Sequence, residues 1–415
     1  MTDIVLNGQL SYSQKFYLPS VNSGKLIDEF TPSLPYVALP GMWRKTRVSP
    51  IGAFSNGGLN TFQIPPRGTM ISDMYLELNL GAPSNGKHYC QMPAAGAIQR
   101  IVISHGGNEL HNYDYQLAFG SVWAKISREY KNMLAVVNGA LPGSKGADTI
   151  TSTGYTPAVG ALTCYAPVFA FWTNFTNEHP PQFSDTLPLL ASSTPLNIDV
   201  YLNTVEYLIF DGSAQTINGT PTLNLVYYEF IVDGSLQKKI IDLVNAPTYQ
   251  YFGIDCQTVA TTSVTANQLT AIDLSGLQGD ITSLAFGNRV QNTLVASANI
   301  ATVNPLSWQL IQYIDLQLDG ISIYQAIQNN DRELLMDQCI FNQAKAACDP
   351  VLFTPYNINM TVMNDVKGWN GSLNSNIFKK FVANVQTNVA TSSIGVGASM
   401  NRWYVFNNGL FSRIK

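Results

Sequence analysis

A chain of 415 residues is long enough for two domains, each with a core of its own. Only 12% of its residues are Asp, Glu, Lys or Arg, against roughly 25% in an ordinary soluble domain, and the net charge is −4, which excludes a globally basic, nucleic-acid-binding surface. No run of about 18 apolar residues is present, which argues against a membrane-spanning helix, and the opening Met1–Gly8 has neither the basic nor the apolar region of a signal peptide.

Asn, Ser, Thr, Gln and Gly stand where charge is missing. A surface of that kind suits burial against copies of the same chain, and it equally suits a secreted β-protein with a neutral exterior.

Residues 1–30 lack periodicity and read as an arm, after which Pro32, Pro35 and Pro40 mark an extended entry into a first domain. Over 69–80, alternation puts Met70, Met74, Leu76, Leu78 and Leu80 on one face and Asp73, Glu77 and Asn79 on the other, predicting a half-buried strand. Residues 98–110 predict a hairpin turning through Gly106-Gly107. Phe119, Val122, Trp123, Ile126, Tyr130, Met133 and Leu134 then take helical spacing, predicting a helix near 113–134. Polar, Gly-, Ser- and Thr-containing loops at 138–163 and 211–222 are expected to project from the surface. Between them, Leu196, Ile198, Val200 and Leu202 define a strand, and Leu223–Val232, apolar on both faces, reads as a central strand.

Residues 233–250, with Lys238-Lys239 and Ala246-Pro247, are the boundary candidate. Beyond them Ile281–Phe286 reads as a strand, and Ile314, Leu316 and Leu318 line another that turns at Asp319-Gly320. A helix is predicted at about 325–343 from Ile327, Leu334, Leu335 and Cys339, then a strand carrying Tyr356, Ile358, Met360 and Val362, and a last strand beginning at Trp403–Phe406.

The second half echoes the first. Ile98, Gln99, Ile101, Ile103 and Gly107 match Ile311, Gln312, Ile314, Leu316 and Gly320 at a single offset of 213 residues. Thr194-Pro195-Leu196-Asn197-Ile198 recurs as Thr354-Pro355-Tyr356-Asn357-Ile358 at an offset of 160. Two copies of one β-rich unit, with unequal loops, account for both echoes. Short strands spaced by Gly, Pro and Asn turns predict an all-β chain of two consecutive eight-stranded jelly-roll β-sandwiches, with short helices in the connecting loops. The expected division is an arm at 1–30, a first jelly roll at 31–243 and a second at 244–415.

Candidate chemistry is sparse. His105 and His111 flank the Gly-Gly hairpin with Asp114 nearby, but the chain has no His-x-His metal pattern, and solvent-exposed turn histidines are the expectation. Asp73 with Glu77, and Asp315 with Asp319, are expected outward and solvated. The residues Gly52 to Gly58 lack phosphate-loop spacing, and no Gly-x-Ser-x-Gly occurs. Cys90, Cys164, Cys256, Cys339 and Cys348 are odd in number and unpaired in spacing, and read as buried free thiols. Lys379-Lys380 and Arg413 with Lys415 read as solvated strand ends. No catalytic, cofactor-binding or metal-ligating residue is assigned, and no cofactor is expected.

Three segments carry a resemblance. Ile64-Pro65-Pro66-Arg67-Gly68-Thr69-Met70-Ile71-Ser72-Asp73-Met74-Tyr75-Leu76-Glu77-Leu78 resembles the strand entry of double jelly-roll major capsid proteins. Arg100–Leu110 resembles their next strand and Gly-Gly-x-Glu turn, and Val226–Lys239 their closing strand and basic exit. The plan covers roughly residues 30–415. The family belongs to icosahedral double-stranded DNA viruses, those with an internal membrane and large eukaryotic viruses among them. The resemblance implies a non-enzymatic shell subunit of the virion, assembled inside the host cell as a homotrimer of nearly hexagonal outline. It further implies contacts with neighbouring trimers, with vertex (penton) and minor capsid proteins, and of the N-terminal arm with an underlying membrane, without sequence-specific nucleic-acid binding. The alternative is a two-sandwich protein that binds or hydrolyses glycans or glycoproteins, for which a signal peptide and paired cysteines would be expected.

Overall fold

The computed structural model describes residues 41–67, 69–84, 88–89, 92–125, 128–140, 160–173, 186–210, 216–245, 250–290, 311–326, 356–359, 373–388, 392–407 and 409–413. The first half contributes β1 (Gly41–Val48), β2 (Leu59–Ile64), β3 (Thr69–Leu80), β4 (Ile98–His105), β5 (Asn108–Asp114), β6 (Leu162–Val168), β7 (Leu196–Leu202) and β8 (Thr222–Val232). The second contributes β9 (Gln250–Val264), β10 (Thr270–Asp273), β11 (Asp280–Val290), β12 (Tyr313–Leu318), β13 (Ile321–Gln325), β14 (Tyr356–Asn359), β15 (Phe381–Gln386) and β16 (Ser392–Asn407), with a closing strand β17 (Leu410–Arg413).

In the first half the strands order as β1-β8-β3-β6 and β2-β7-β4-β5. In the second they order as β9-β16-β11-β14 and β10-β15-β12-β13. Adding eight to every strand of the first sandwich produces the second. Each is a pair of facing four-stranded antiparallel sheets in jelly-roll order, and each encloses its own apolar cluster. Phe62, Leu76, Ile101, Ile198 and Leu225 lie in one, and Leu284, Phe286, Leu316, Ala383 and Val396 in the other.

Alternation explains these strands, with one interruption. A bulge between the Tyr227–Met74 and Glu229–Ile71 pairs inserts a residue into β3. The alternating face therefore runs from Met74 to Leu80, while Met70, Ile71 and Ser72 are all buried. The predicted helix near 113–134 starts later, because Tyr113 and Asp114 still pair with Ile101 and Arg100 of β4. It is present as α2 (Tyr115–Lys125) and α3 (Arg128–Val137), following a short α1 (Pro93–Ala97). The boundary candidate at 233–250 contains a helix, α4 (Gly234–Val244), whose Ile240 and Val244 join the first core.

The echo at offset 213 is structural in detail. Strands β4 and β12 end at His105 and Leu318, and β5 and β13 begin at Asn108 and Ile321. Both connecting turns run through two left-handed residues, Gly106 (φ 56°) and Gly107 (φ 87°) in one, Asp319 (φ 47°) and Gly320 (φ 84°) in the other. Both hairpins also carry the same bulge, between the Ile103–His111 and Ser104–Glu109 pairs and between the Leu316–Tyr324 and Gln317–Ser322 pairs. The echo at offset 160 is different. Its first member enters β7 and its second enters β14, whereas the topological counterpart of β7 is β15. Proline favours an extended chain around it, so two unrelated strand entries came to look alike.

The helix expected at about 325–343 lies outside the described residues beyond Ala326, and so do most of the 138–163 loop and the arm at 1–30. Part of the 211–222 loop is not a free projection, because Ile217 and Asn218 pair with Pro83 and Ala82. No described helix is long and apolar enough to cross a membrane.

Candidate functional site at the seam between the sandwiches

The sandwiches meet along β5 and β9, which touch as parallel neighbours at Asn112 and Gln257. That bridge joins sheet β2-β7-β4-β5 to sheet β9-β16-β11-β14 as one continuous surface. Helix α2 lies across the junction, against β4 and β5 on one side and β11 and β16 on the other. Asp114 accepts the Leu117 N–H at 2.9 Å and so caps α2, while its own N–H donates to Thr258 Oγ1 of β9 at 2.8 Å. Leu117 of α2 packs over Gly397 of β16, where a β-carbon would lie in ordinary contact at 3.6 Å.

Strand β17 then carries the second half back onto the first. Phe411 is fully buried in the first core, its ring 4.6 Å from that of Phe406. Its N–H donates to His105 Nδ1 at 3.0 Å, and its carbonyl accepts from Asn108 Nδ2 at 3.1 Å.

A charged cluster sits at the centre of the seam. Asp255 of β9 is completely buried. It accepts from His111 Nδ1 at 2.8 Å, Arg413 Nη1 at 3.1 Å and Gln257 Nε2 at 3.1 Å, with Arg402 Nε at 3.8 Å. Arg413 also reaches Glu109 at 3.5 Å. Two arginines face two carboxylates across the cluster, which runs from the buried Asp255 and Arg402 out to the exposed Glu109. Burial pulls the Arg402 guanidinium down from its ordinary value, and Asp255 opposes that pull. Phe171 and Tyr404 stack at 3.8 Å beside the imidazole, and Trp172 completes the wall. Burial, chiefly, holds the Tyr404 phenol well above its usual range.

An Asp-His pair invites a catalytic reading, and the geometry refuses it. The remaining nitrogen of His111, Nε2, accepts the Phe171 N–H at 3.0 Å. A general base needs that lone pair free for a nucleophile. Here it is used by the backbone, and the ring is 1% exposed.

The other sequence candidates disperse. His105 and His111 are buried, not exposed, because the second half of the chain covers the hairpin that carries them. Glu77 is buried and bound to Arg47 at 2.7 Å, and Asp315 is buried among Ser322, Gln317 and Asn384, so neither is a solvated strand carboxylate. Asp319 accepts the Lys379 and Lys380 N–H groups at 3.0 and 2.8 Å, which closes the β12–β13 turn. Arg413 is an ion-pair partner in the seam and not a solvated end. Cys164 is buried and Cys256 half-buried, neither in a disulfide, and the other three cysteines lie outside the described residues. No group of three metal-donor side chains occurs among the described residues. Asp255 and Arg402 escaped the sequence reading. Their one signal was charge inside a strand-forming segment of a chain with very little charge.

His105 makes the seam acid-sensitive. Nδ1 accepts the Phe411 N–H, so the neutral ring carries its proton on Nε2, facing Ser192 Oγ at 2.5 Å and the Thr194 carbonyl at 3.1 Å. Burial lowers its pKa below the ordinary 6.5, against the Thr194 hydrogen bond that raises it. Below pH 6.5 the unfolded chain takes up a proton that the folded chain resists, so stability falls as pH drops toward the folded value. His105→Gln is expected to lose less melting temperature between pH 7.5 and 5 than the parent. Equal losses in the two proteins would assign the acid effect elsewhere.

No protein-family model matches the sequence. No curated protein matches it either. Solved structures do resemble it in fold. The Faustovirus major capsid protein superposes with a TM-score of 0.67 at 11% identity, over 94% of this chain and 94% of that one. PBCV-1 VP54, fitted into a reconstruction of the virophage Sputnik, gives 0.67 at 12% identity, over 90% and 97%. The mavirus major capsid protein gives 0.56 at 10% identity, over 98% and 95%. The shared feature is the double jelly-roll fold.

Proposed function

We propose that this protein is the major capsid protein of an icosahedral double-stranded DNA virus, located in the virion shell and acting without catalysis or cofactor. The observation that carries the reading is the tandem jelly roll itself. Two sandwiches of identical strand order are locked by a buried seam, and the matches cover 90% and 94% of this chain and 97% and 94% of the two neighbours. A seam that, among the described residues, has no accessible base and no metal-donor group, and whose central Asp255 is buried among hydrogen bonds, serves as a rigid joint. Rigid pairing of two similar units has one evident use: three chains around an axis present six similar faces, so one sequence can fill six-neighbour positions in a closed shell. The division of the chain follows the same reading, with an arm at 1–30, a first roll at 31–243 and a second at 244–415. Vertex and minor shell proteins, and a membrane contact through the arm, are the further partners of such a subunit.

Size exclusion coupled to light scattering tests this. A trimer that persists on dilution, and dissociates only as it unfolds, is expected. A folded monomer of 45.4 kDa at micromolar concentration would remove the proposal.

A further inference from the structure

The two cores are not equally self-contained. The buried members of the second run from Val264 to Met400, all within the second half of the chain. The first core takes Tyr404, Phe406 and Phe411 from that same half. One face of β16 serves both. Ile394, Val396, Ala398 and Met400 lie in the second core and Tyr404 and Phe406 in the first, with Arg402 between them. Strand β17 is therefore placed to leave the first sandwich without opening the second.

Its hold is local. It has four residues and, among the described residues, pairs only with β16. Beyond that ladder it is fixed by the Phe411 ring, by the Phe411 peptide on His105 and Asn108, and by Arg413 on Asp255 and Glu109. Just before it, the Gly409 carbonyl accepts the Ser193 N–H at 3.3 Å.

One of these bonds inverts with a proton. Neutral, His105 Nδ1 accepts the Phe411 N–H; protonated, it becomes a donor facing that donor at 3.0 Å. Nε2 offers no other place for the proton, since it already donates toward Ser192 and Thr194. Among the described residues, nothing bonded to the ring is charged. Its partners are Ser192, Thr194 and the Phe411 backbone, with the Phe411 ring at 5.6 Å. The charged and titratable residues of the surrounding strands are bonded elsewhere: Arg100 to Asn112, Glu109 to Arg413, His111 to Asp255, Asp114 to the cap of α2 and Asp199 to Thr61.

We infer that β17 is an acid-released clasp: a proton on His105 favours its undocking from the hairpin, and the second sandwich stays folded as it leaves. Once undocked, the ring takes its proton at the ordinary value of 6.5, so each further pH unit below that favours the open form by about tenfold until the docked ring also titrates. Release withdraws Arg413 from Asp255 and Glu109 and leaves the joint to β5, β9 and α2. The inference concerns the single chain and holds whatever that chain assembles into.

Amide hydrogen exchange on the whole protein between pH 7.5 and 5, corrected for the intrinsic effect of pH, tests the clasp. Below pH 6.5, protection of the Phe411 amide is expected to fall about tenfold per pH unit. Its dependence on urea is expected to stay far below that of amides in β11 and β15, because a short strand exposes little surface on opening. His105→Gln keeps an acceptor for the Phe411 N–H and removes the titration, so its Phe411 amide is expected to keep its protection. Protection and urea dependence equal to those of β11 and β15 at every pH would mean that β17 leaves only as the chain unfolds, and would overturn the clasp. A Phe411 amide that keeps its protection in the parent at pH 5, or loses it equally in His105→Gln, overturns it too. Should His105→Gln fail to fold, the comparison of strands in the parent decides alone.

Discussion

Asp255→Ala is expected to be the most damaging single substitution in the seam, lowering stability by roughly 3–5 kcal/mol. The carboxylate is the acceptor for His111, Gln257 and Arg413 and the nearest counter-charge to Arg402. Removing it leaves the buried Arg402 guanidinium without its nearest counter-charge, while Arg413 keeps Glu109. The loss should therefore exceed that of an exposed ion pair, which contributes about 0–1 kcal/mol. A double-mutant cycle with Arg413→Ala isolates the pair, since the partners are in direct contact and their effects should not add. Urea denaturation followed by fluorescence reads the change. A loss below about 1 kcal/mol for Asp255→Ala would mean that water or another cation partner relieves the site.

Phe411→Ala is the second large effect, at about 3–5 kcal/mol. The ring lies in the first core although its residue belongs to the last strand of the chain. Its removal should do more than leave a cavity. It should loosen β17 from the hairpin that carries His105 and Asn108, and with it the arginine that neutralises Asp255. Amide exchange would then accelerate at Phe411 and along β5 ahead of the second core. If exchange in β5 stayed at its parental rate while global stability fell, the ring would be filling space without clamping the halves together.

The seam also sets how the two sandwiches sit on one another. Charge is sparse in this chain, yet the joint between the sandwiches is ionic and centred on a buried carboxylate. A purely apolar joint would give comparable stability but would tolerate sliding, whereas hydrogen-bonded charges at fixed positions set one register between the halves.

By itself the sequence determined the fold class. Alternation at Leu196–Leu202 and at Met74–Leu80, and the paired hairpins at offset 213, are local signals, set by which side chain faces the core and which turn admits positive φ. Those signals were strong enough to point to duplication, and the structure added a bulge repeated at the same positions. Tertiary structure alone decided what the hairpin histidines are for. His105 and His111 look exposed in sequence because two glycines and polar neighbours surround them, and they are buried because β9, β16 and β17 arrive from more than a hundred residues away. The same distance hid Asp255 and Arg402, whose partners lie on other strands, whereas the echo at offset 160 looked like ancestry because proline favours similar strand entries. Periodicity records which face of a strand is inward. It carries no record of which distant edge will come to cover it, because that is fixed by the packing of whole sheets.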